Sequence, residues 1–404
     1  MILITENILK ELSVKTDSRI VLLVMDGLGD LPGKNGKTVL EQAKIPNLDR
    51  LATRSICGLT DPISRGITPG SGPAHLSLFG YDPIKYQIGR GVLEALGIDI
   101  ELTCDDLACR GNFATIDEKG IITDRRAGRI STEKNQELCS LLQSEITEID
   151  GVKVIIKPGK EHRFVVVFRG KGLEDGISDA DPQLNGKKIK YAEALREESR
   201  WSVKIINSFI DRCLEVLKGH HPANAILLRG IAKHPELPSM GELYKLNPAA
   251  IAAYPMYRGL ARLVGMNILN TGEAIGDEFN TLKENYHKYD FFYLHIKKTD
   301  SYGEDGNFEA KLKVVEEVDH YIPALLELNP EVLVVTGDHS TPASLAAHSW
   351  HPNPFLLYSK YIRVDDVQHF NENEFVRGGL GRFPAKEAMS LMLSNALKLE
   401  KYGA

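Results

Sequence analysis

The sequence predicts an α/β protein, a mostly parallel sheet flanked by helices and interrupted by an inserted α+β domain. Three observations carry this reading. Four short runs are apolar on both faces: IVLLV (20–24), FFYLHI (291–296), VLVVT (332–336) and PFLLY (354–358). That is the pattern of strands covered by helices on each side. Three of the runs lead into polar residues, the first into Asp26, the second into Asp300, the third into Asp338 and His339. Open α/β sheets bind ligands beyond the carboxyl ends of their strands, so these residues mark a site. Finally, the runs lie in two blocks near opposite ends of the chain. For their ends to meet, the middle must be an insertion.

The elements follow in chain order. Asp26 comes just after the first strand, among the glycines of DGLGD. Pro69 and Gly70 predict a turn, and Ser71 opens a helix over AHLSLFG. In the middle, VKVIIK (152–157) and RFVVVF (163–168) read as a hairpin around Pro158 and Gly159. The segment 201–217 reads as a helix, with Val203, Ile206, Phe209, Cys213 and Leu217 on one face. AILLR (225–229) is a further strand. The expected division is a catalytic domain of residues 1–100 plus 286–404 and an inserted domain of residues 101–285.

Composition narrows the function classes. The 404 residues, 43% hydrophobic and 26% charged, suit a folded chain of about two or three domains at roughly 150 residues each. A net charge of −6 offers no basic field for a nucleic-acid backbone. No run approaches the roughly 18 apolar residues of a membrane span. The opening MILITENILKELSVKTDSR has no basic leader with an apolar core. Five scattered cysteines without a CxxC pair point to reduced thiols and a cytoplasmic setting. A small-molecule substrate is the expected partner, and a homo-oligomer is left open.

Four pieces carry the chemistry: VLLVMDGLGD, ITPGSGPAHLSLFGYDP, HIKKTDSYGEDGNFEAK and VVTGDHSTPASLAAHSWHPNP. Ser71 at a helix start has backbone N–H groups and the positive helix end beside it, which favour an alkoxide or a bound phosphate. Asp26, Asp300, Glu304, Asp338, His339 and His348 offer carboxylates and imidazoles at loop tips, which suit divalent Mn, Mg or Zn. With Ser71 they number seven positions, enough for two ions acting together on a phosphoryl group. Taken singly, Asp26 reads equally as a turn residue, Ser71 as a helix cap and Glu304 as a solvated side chain. Their joint occurrence at strand ends argues for a site. Arginine forks suit carboxylate and phosphate groups. The candidates are Arg125, Arg126 and Arg129 of DRRAGR, and Arg258 and Arg262 of PMYRGLAR, which share a helix face. Of Lys297 and Lys298, the second is assigned to the substrate, since neighbours along a strand point oppositely.

These pieces, with LACRGNFATID, HRFVVVFRG, SDADP and PMYRGLARLVGM between them, resemble the archaeal-type cofactor-independent phosphoglycerate mutases of the alkaline phosphatase superfamily. The resemblance runs over nearly the whole chain. It implies an alkaline-phosphatase-like sheet with an inserted substrate-binding lid. It implies interconversion of 3-phosphoglycerate and 2-phosphoglycerate through a phosphoserine, without bisphosphoglycerate. By resemblance Ser71 is the nucleophile, and Asp26, Asp338 and His339 hold the ion that touches it. Asp300 and His348 hold the second ion. The family's further ligand there is a histidine, in a pattern like TDxxGHDGN, whereas this chain reads TDSYGEDGN, with Glu304 in its place. A glutamate is a harder, anionic donor and is expected to favour Mg or Mn. Two alternatives stand beside the mutase. One is a phosphomonoester or diester hydrolase using the same serine; the other is a non-catalytic protein that binds a phosphorylated metabolite.

Overall fold

The computed structural model describes residues 6–403. The first five residues of the segment read above as lacking a leader lie outside the described residues. Two compact units divide the chain: residues 1–87 with 237–404, and residues 88–236.

The first unit is built on an eight-stranded sheet. Across it the strands run Asn267–Leu269, Pro248–Ala252, Phe291–Ile296, Ile20–Met25, Val332–Thr336, Asn353–Ser359, Ile56–Asp61 and Gly381–Pro384. All four apolar runs read from the sequence are strands of this sheet. One departs from the expected direction, since Asn353–Ser359 is antiparallel to both neighbours. A run that is apolar on both faces reports cover by helices, not strand direction, so the pattern could not reveal this. The central strand Ile20–Met25 is wholly buried and parallel to the strands on either side. One face of the sheet packs Val21, Leu23, Phe292, Leu294, Leu333 and Val335 against helices carrying Leu48, Phe279, Val315 and Val318.

The second boundary differs from the expected one. Residues 237–285 were assigned to the insertion. Instead, Pro248–Ala252 pairs in parallel with Phe291–Ile296, and Asn267–Leu269 extends that edge. PAAIA and NIL are short and rich in alanine, so neither gives a run long enough to stand out.

The inserted unit is an antiparallel sheet with helices Thr132–Glu145 and Arg200–Val216. The hairpin Val152–Pro158 with Arg163–Arg169 is present. The long strand Asp106–Ile116 pairs with Arg163–Arg169 on one side and Ala225–Lys233 on the other. Its core gathers Leu138, Leu142, Val154, Val166, Ile206, Phe209 and Cys213. None of the five cysteines is in a disulfide, and only Cys104 is exposed. Among the described residues no helix is long and apolar enough to cross a membrane.

Candidate active site

Register builds the site. Met25 lies opposite Ile296, and Val24 opposite Thr336. The chain therefore leaves three adjacent parallel strands at the same sheet edge, carrying Asp26, Lys297 and Asp338 with it. Asp26, His339 and His295 have no exposed surface, and Asp300 and Asp338 are 1% exposed. Gly27, at φ +61°, is required at the turn, because a Cβ there would strike the Thr341 hydroxyl and sit 2.7 Å from Asp300 Oδ1.

Ser71 is the first residue of helix Ser71–Leu78. Its Oγ lies 3.1 Å from His339 Nε2. The same nitrogen is 3.2 Å from Asp338 Oδ2 and 3.4 Å from Asp26 Oδ1. Asp338 Oδ1 accepts the Gly27 N–H at 3.0 Å. Asp26 Oδ1 is buried without a hydrogen-bond partner, and Asp338 Oδ2, also buried, faces only imidazole nitrogens. Buried carboxylate oxygens left in this state are costly unless a cation meets them. One turn along the helix, His75 Nδ1 lies 2.9 Å from Ser71 O and 3.0 Å from Asp338 Oδ2.

The second cluster shares His339. Asp300 and His348 join it, with His348 Nε2 3.5 Å from Asp300 Oδ1 and the two imidazoles stacked at 3.7 Å. His348 Nδ1 is 3.0 Å from Pro69 O, which fixes the ring beside the serine turn. Asp26, Asp338 and His339, and likewise Asp300, His339 and His348, each bring ligand atoms within 4.8 Å of one another, so either trio could hold a metal ion. Glu304 stands at the rim. Its carboxylate faces His348 at 3.6 Å with the side chain 56% exposed, and it is in neither trio. The donor chemistry, carboxylate oxygen and imidazole nitrogen, fits a divalent ion.

The charges are strongly coupled. Burial opposes ionisation of Asp26, but Lys297 above all, then His295 and His339, hold its carboxyl well below the usual range. Burial and the neighbouring Asp26 both disfavour charge on Asp338, yet His339 and His75 keep it low. Asp300 is pushed up by burial and by Asp26, which outweigh Lys297. Burial pushes His295 down to about 4 although it lies beside Asp26. Burial disfavours charge on His348 too, but Glu304, the Pro69 carbonyl and Asp300 raise it to about 9.

Three further side chains adjoin the cluster. Lys297, not Lys298, enters the cluster, with Nζ 3.0 Å from Asp26 Oδ2 and 2.5 Å from Asp300 Oδ2. Lys298 is exposed. Strand alternation was the wrong rule here, because Lys297 already has helical φ and ψ as the cap of helix Lys298–Glu304. His295 Nε2 lies 3.3 Å from Asp26 Oδ2 and was hidden inside an otherwise apolar strand. Tyr257 stacks on His295 at 3.8 Å, and its hydroxyl accepts from Lys297 at 3.2 Å. It comes from helix Pro255–Leu263, which also carries the half-buried Arg258 and Arg262.

In the inserted unit Arg125 forms a two-pronged pair with Asp181, at 3.1 and 2.6 Å, while Arg126 and Arg129 are exposed. A stronger cationic face lies on its sheet. Arg110 stands opposite Arg229, and Asn112 opposite Arg163, so all four side chains share one face. Arg110 is 7% exposed. Burial pulls it down to about 10, with Glu94 opposing and Arg90, Arg163 and Arg229 adding to the fall. Its signal in the sequence was an arginine inside the apolar run of LACRGNF.

A mostly parallel sheet whose strand ends gather a helix-opening serine with buried acids and imidazoles defines an α/β protein with a candidate active site beyond its strand ends. The family model described as 2,3-bisphosphoglycerate-independent phosphoglycerate mutase matches residues 52–224. A probable mutase of that description from Thermosipho melanesiensis is 59% identical over 399 residues, covering 99% of each chain. The chain belongs to the 2,3-bisphosphoglycerate-independent phosphoglycerate mutase family. A relative of the same description from Thermus thermophilus is 51% identical, over 98% of this chain and 99% of that one. Among solved structures, a protein from Pyrococcus horikoshii superposes with a TM-score of 0.82 at 31% identity, covering 96% of this chain and 99% of the other. The cofactor-independent phosphoglycerate mutase from Thermoplasma acidophilum gives 0.73 at 30% identity, covering 94% and 100%.

Proposed function

We propose that this chain interconverts 3-phosphoglycerate and 2-phosphoglycerate by way of a phosphoserine at Ser71. The observation that carries the mechanism is the position of Ser71 Oγ, 3.1 Å from the imidazole shared by both clusters. In the first half, the Ser71 Oγ–P bond forms as the bond from phosphorus to the substrate's O3 breaks, and glycerate is left with a hydroxyl at C3. In the second half, the hydroxyl oxygen at C2 attacks the phosphoserine, the P–Oγ bond breaks and Ser71 regains its proton. No bisphosphoglycerate enters either half.

Asp26, Asp338 and His339 would hold one divalent ion, and Asp300 and His348 a second, with Glu304 adjoining at the rim. Such ions, as Mn, Mg or Zn, would acidify the serine hydroxyl and neutralise charge on the transferring phosphoryl group. The chain's own groups do the rest. The start of helix Ser71–Leu78 directs backbone N–H groups at the serine. His75 braces that helix against Asp338. Arg258 and Arg262, four residues apart on helix Pro255–Leu263, offer forks suited to phosphate and carboxylate. Glycerate must be kept from exchanging with water, or phosphoserine hydrolyses.

An enolase-coupled assay on metal-loaded protein without bisphosphoglycerate tests this reading. The mutase yields 2-phosphoglycerate. Release of free phosphate as the main product identifies a hydrolase, and neither product a binding protein.

A further inference from the structure

We propose that Lys297 is a resident cation of this site that competes with a divalent ion for Asp26 and Asp300, so that the two clusters load unequally. The inference rests on reading both clusters as ion sites.

The geometry is asymmetric. Lys297 Nζ bridges one carboxylate from each cluster, at 3.0 Å from Asp26 Oδ2 and 2.5 Å from Asp300 Oδ2. In the cluster of Asp26, Asp338 and His339, Asp26 Oδ1 is buried and lacks a hydrogen-bond partner, and Asp338 Oδ2 faces only the imidazoles of His75 and His339. They are left for a cation. In the other cluster both Asp300 oxygens are already engaged: Oδ1 accepts the Thr341 hydroxyl at 2.6 Å and Oδ2 accepts Lys297. Four carboxylates converge here, from Asp26, Asp300, Asp338 and Glu304, and the ammonium offsets part of that charge. Lys297 is also held from the side. The Tyr257 hydroxyl is 3.2 Å away, and the Tyr257 and Tyr254 rings lie 5.4 and 5.9 Å below the ammonium.

An ammonium and a divalent ion held by the same carboxylates repel one another. Two like charges about 4 Å apart repel by several kcal/mol even at a well-screened protein site. Ion entry at the Asp300 cluster therefore requires Lys297 to leave Asp300 Oδ2. The lysine side chain keeps 23% exposure, so it has a way out. The cluster with the unpartnered Asp26 oxygen fills first, and the one whose Asp300 Lys297 holds fills second and more weakly.

Calorimetric titration of metal-stripped, full-length protein with Mn²⁺ tests this. The variants are Lys297→Met, Lys297→Gln, Lys298→Met as a surface-charge control, and Asp338→Asn. The wild type is expected to show a strong and a weak uptake. Both Lys297 variants should tighten the weak one by about tenfold or more, while Lys298→Met changes neither. The glutamine variant is read alone if the methionine variant, with its carboxylates left facing one another, does not fold. Equal affinity at the two sites in wild type, or a weak uptake unmoved in the Lys297 variants, overturns the inference while leaving the ion sites standing. If wild type takes up no Mn²⁺, or Asp338→Asn leaves the strong uptake unchanged, the ion-site reading fails, and the inference with it.

Discussion

His339 Nδ1 lies 3.0 Å from the Thr341 hydroxyl, and that hydroxyl donates to Asp300 Oδ1 at 2.6 Å. A carboxylate accepts only, so the hydroxyl spends its proton on Asp300 and is left to accept from Nδ1–H. His339 is thereby fixed as the tautomer whose Nε2 lone pair faces Ser71, Asp26 and Asp338. One threonine orients ligands of both clusters. Thr341→Val keeps the shape and removes both bonds. Orienting partners of this kind are worth about 10–100-fold in ion affinity or activity. Calorimetry with Mn²⁺ should show a loss in that range, and unchanged affinity would remove Thr341 from the site.

Ser71→Ala deletes the proposed nucleophile and little else, since the serine side chain makes no helix cap. Turnover in the enolase-coupled assay should vanish, while the circular dichroism spectrum and melting temperature stay near wild type. Substantial residual mutase activity would refute the phosphoserine step.

Glu304→His places an imidazole at the rim, next to His348. The side chain is more than half exposed, so the fold should tolerate the exchange. Replacing a hard anionic donor by imidazole should shift the relative activation by Zn, Mn and Mg toward the softer ions. An identical activation profile in the two proteins would mean that Glu304 does not touch an ion.

The site was legible where the chemistry sits in short segments leaving adjacent strands. Asp26, Asp338 and His339 are reached directly from apolar runs, and Ser71 from a turn written in Pro69 and Gly70. What escaped depended on context. His295 sits within a run otherwise read as apolar, and its 3.3 Å approach to Asp26 Oδ2, with Tyr257 stacked on its ring, shows that it belongs to the cluster. Lys297 and Lys298 could not be told apart without knowing where the strand became a helix. Arg110, Arg163 and Arg229 come from three strands of the inserted unit, and antiparallel register alone puts them on one face. The same limit moved the domain boundary. Pro248–Ala252 is a strand because Phe291–Ile296 lies beside it, and its own five residues carry little β preference.

Lys311 is wholly buried in helix Phe308–Glu327. Its Nζ donates to the carbonyls of Gly29 at 3.2 Å and Thr341 at 2.9 Å, and faces Asp30 Oδ2 at 3.0 Å. It thus ties together the loops that carry Asp26 and His339. Lys311→Met should cost about 3–5 kcal/mol, mainly because Asp30 is left buried without its counter-charge. Adding Asp30→Asn should recover part of that loss. Denaturant unfolding checks both values. A single variant within about 1 kcal/mol of wild type would show that the pair contributes little.

Glu278 gives the fold a pH dependence separate from the active-site cluster. It is 4% exposed in helix Ile275–Asn285. Burial pushes its carboxyl up to about 8, against a partial pull from the Ala253 backbone. The folded state therefore prefers the protonated acid. Its contribution is fully present below the ordinary carboxylate range and is lost as pH rises through about 8. By roughly pH 9 the difference amounts to as much as a few kcal/mol. Glu278→Gln keeps the size and removes the titration. Its melting temperature should match wild type near pH 5 and exceed it near pH 9. A gap between the two proteins that stays constant across this range would mean that Glu278 is already ionised in the folded chain at neutral pH.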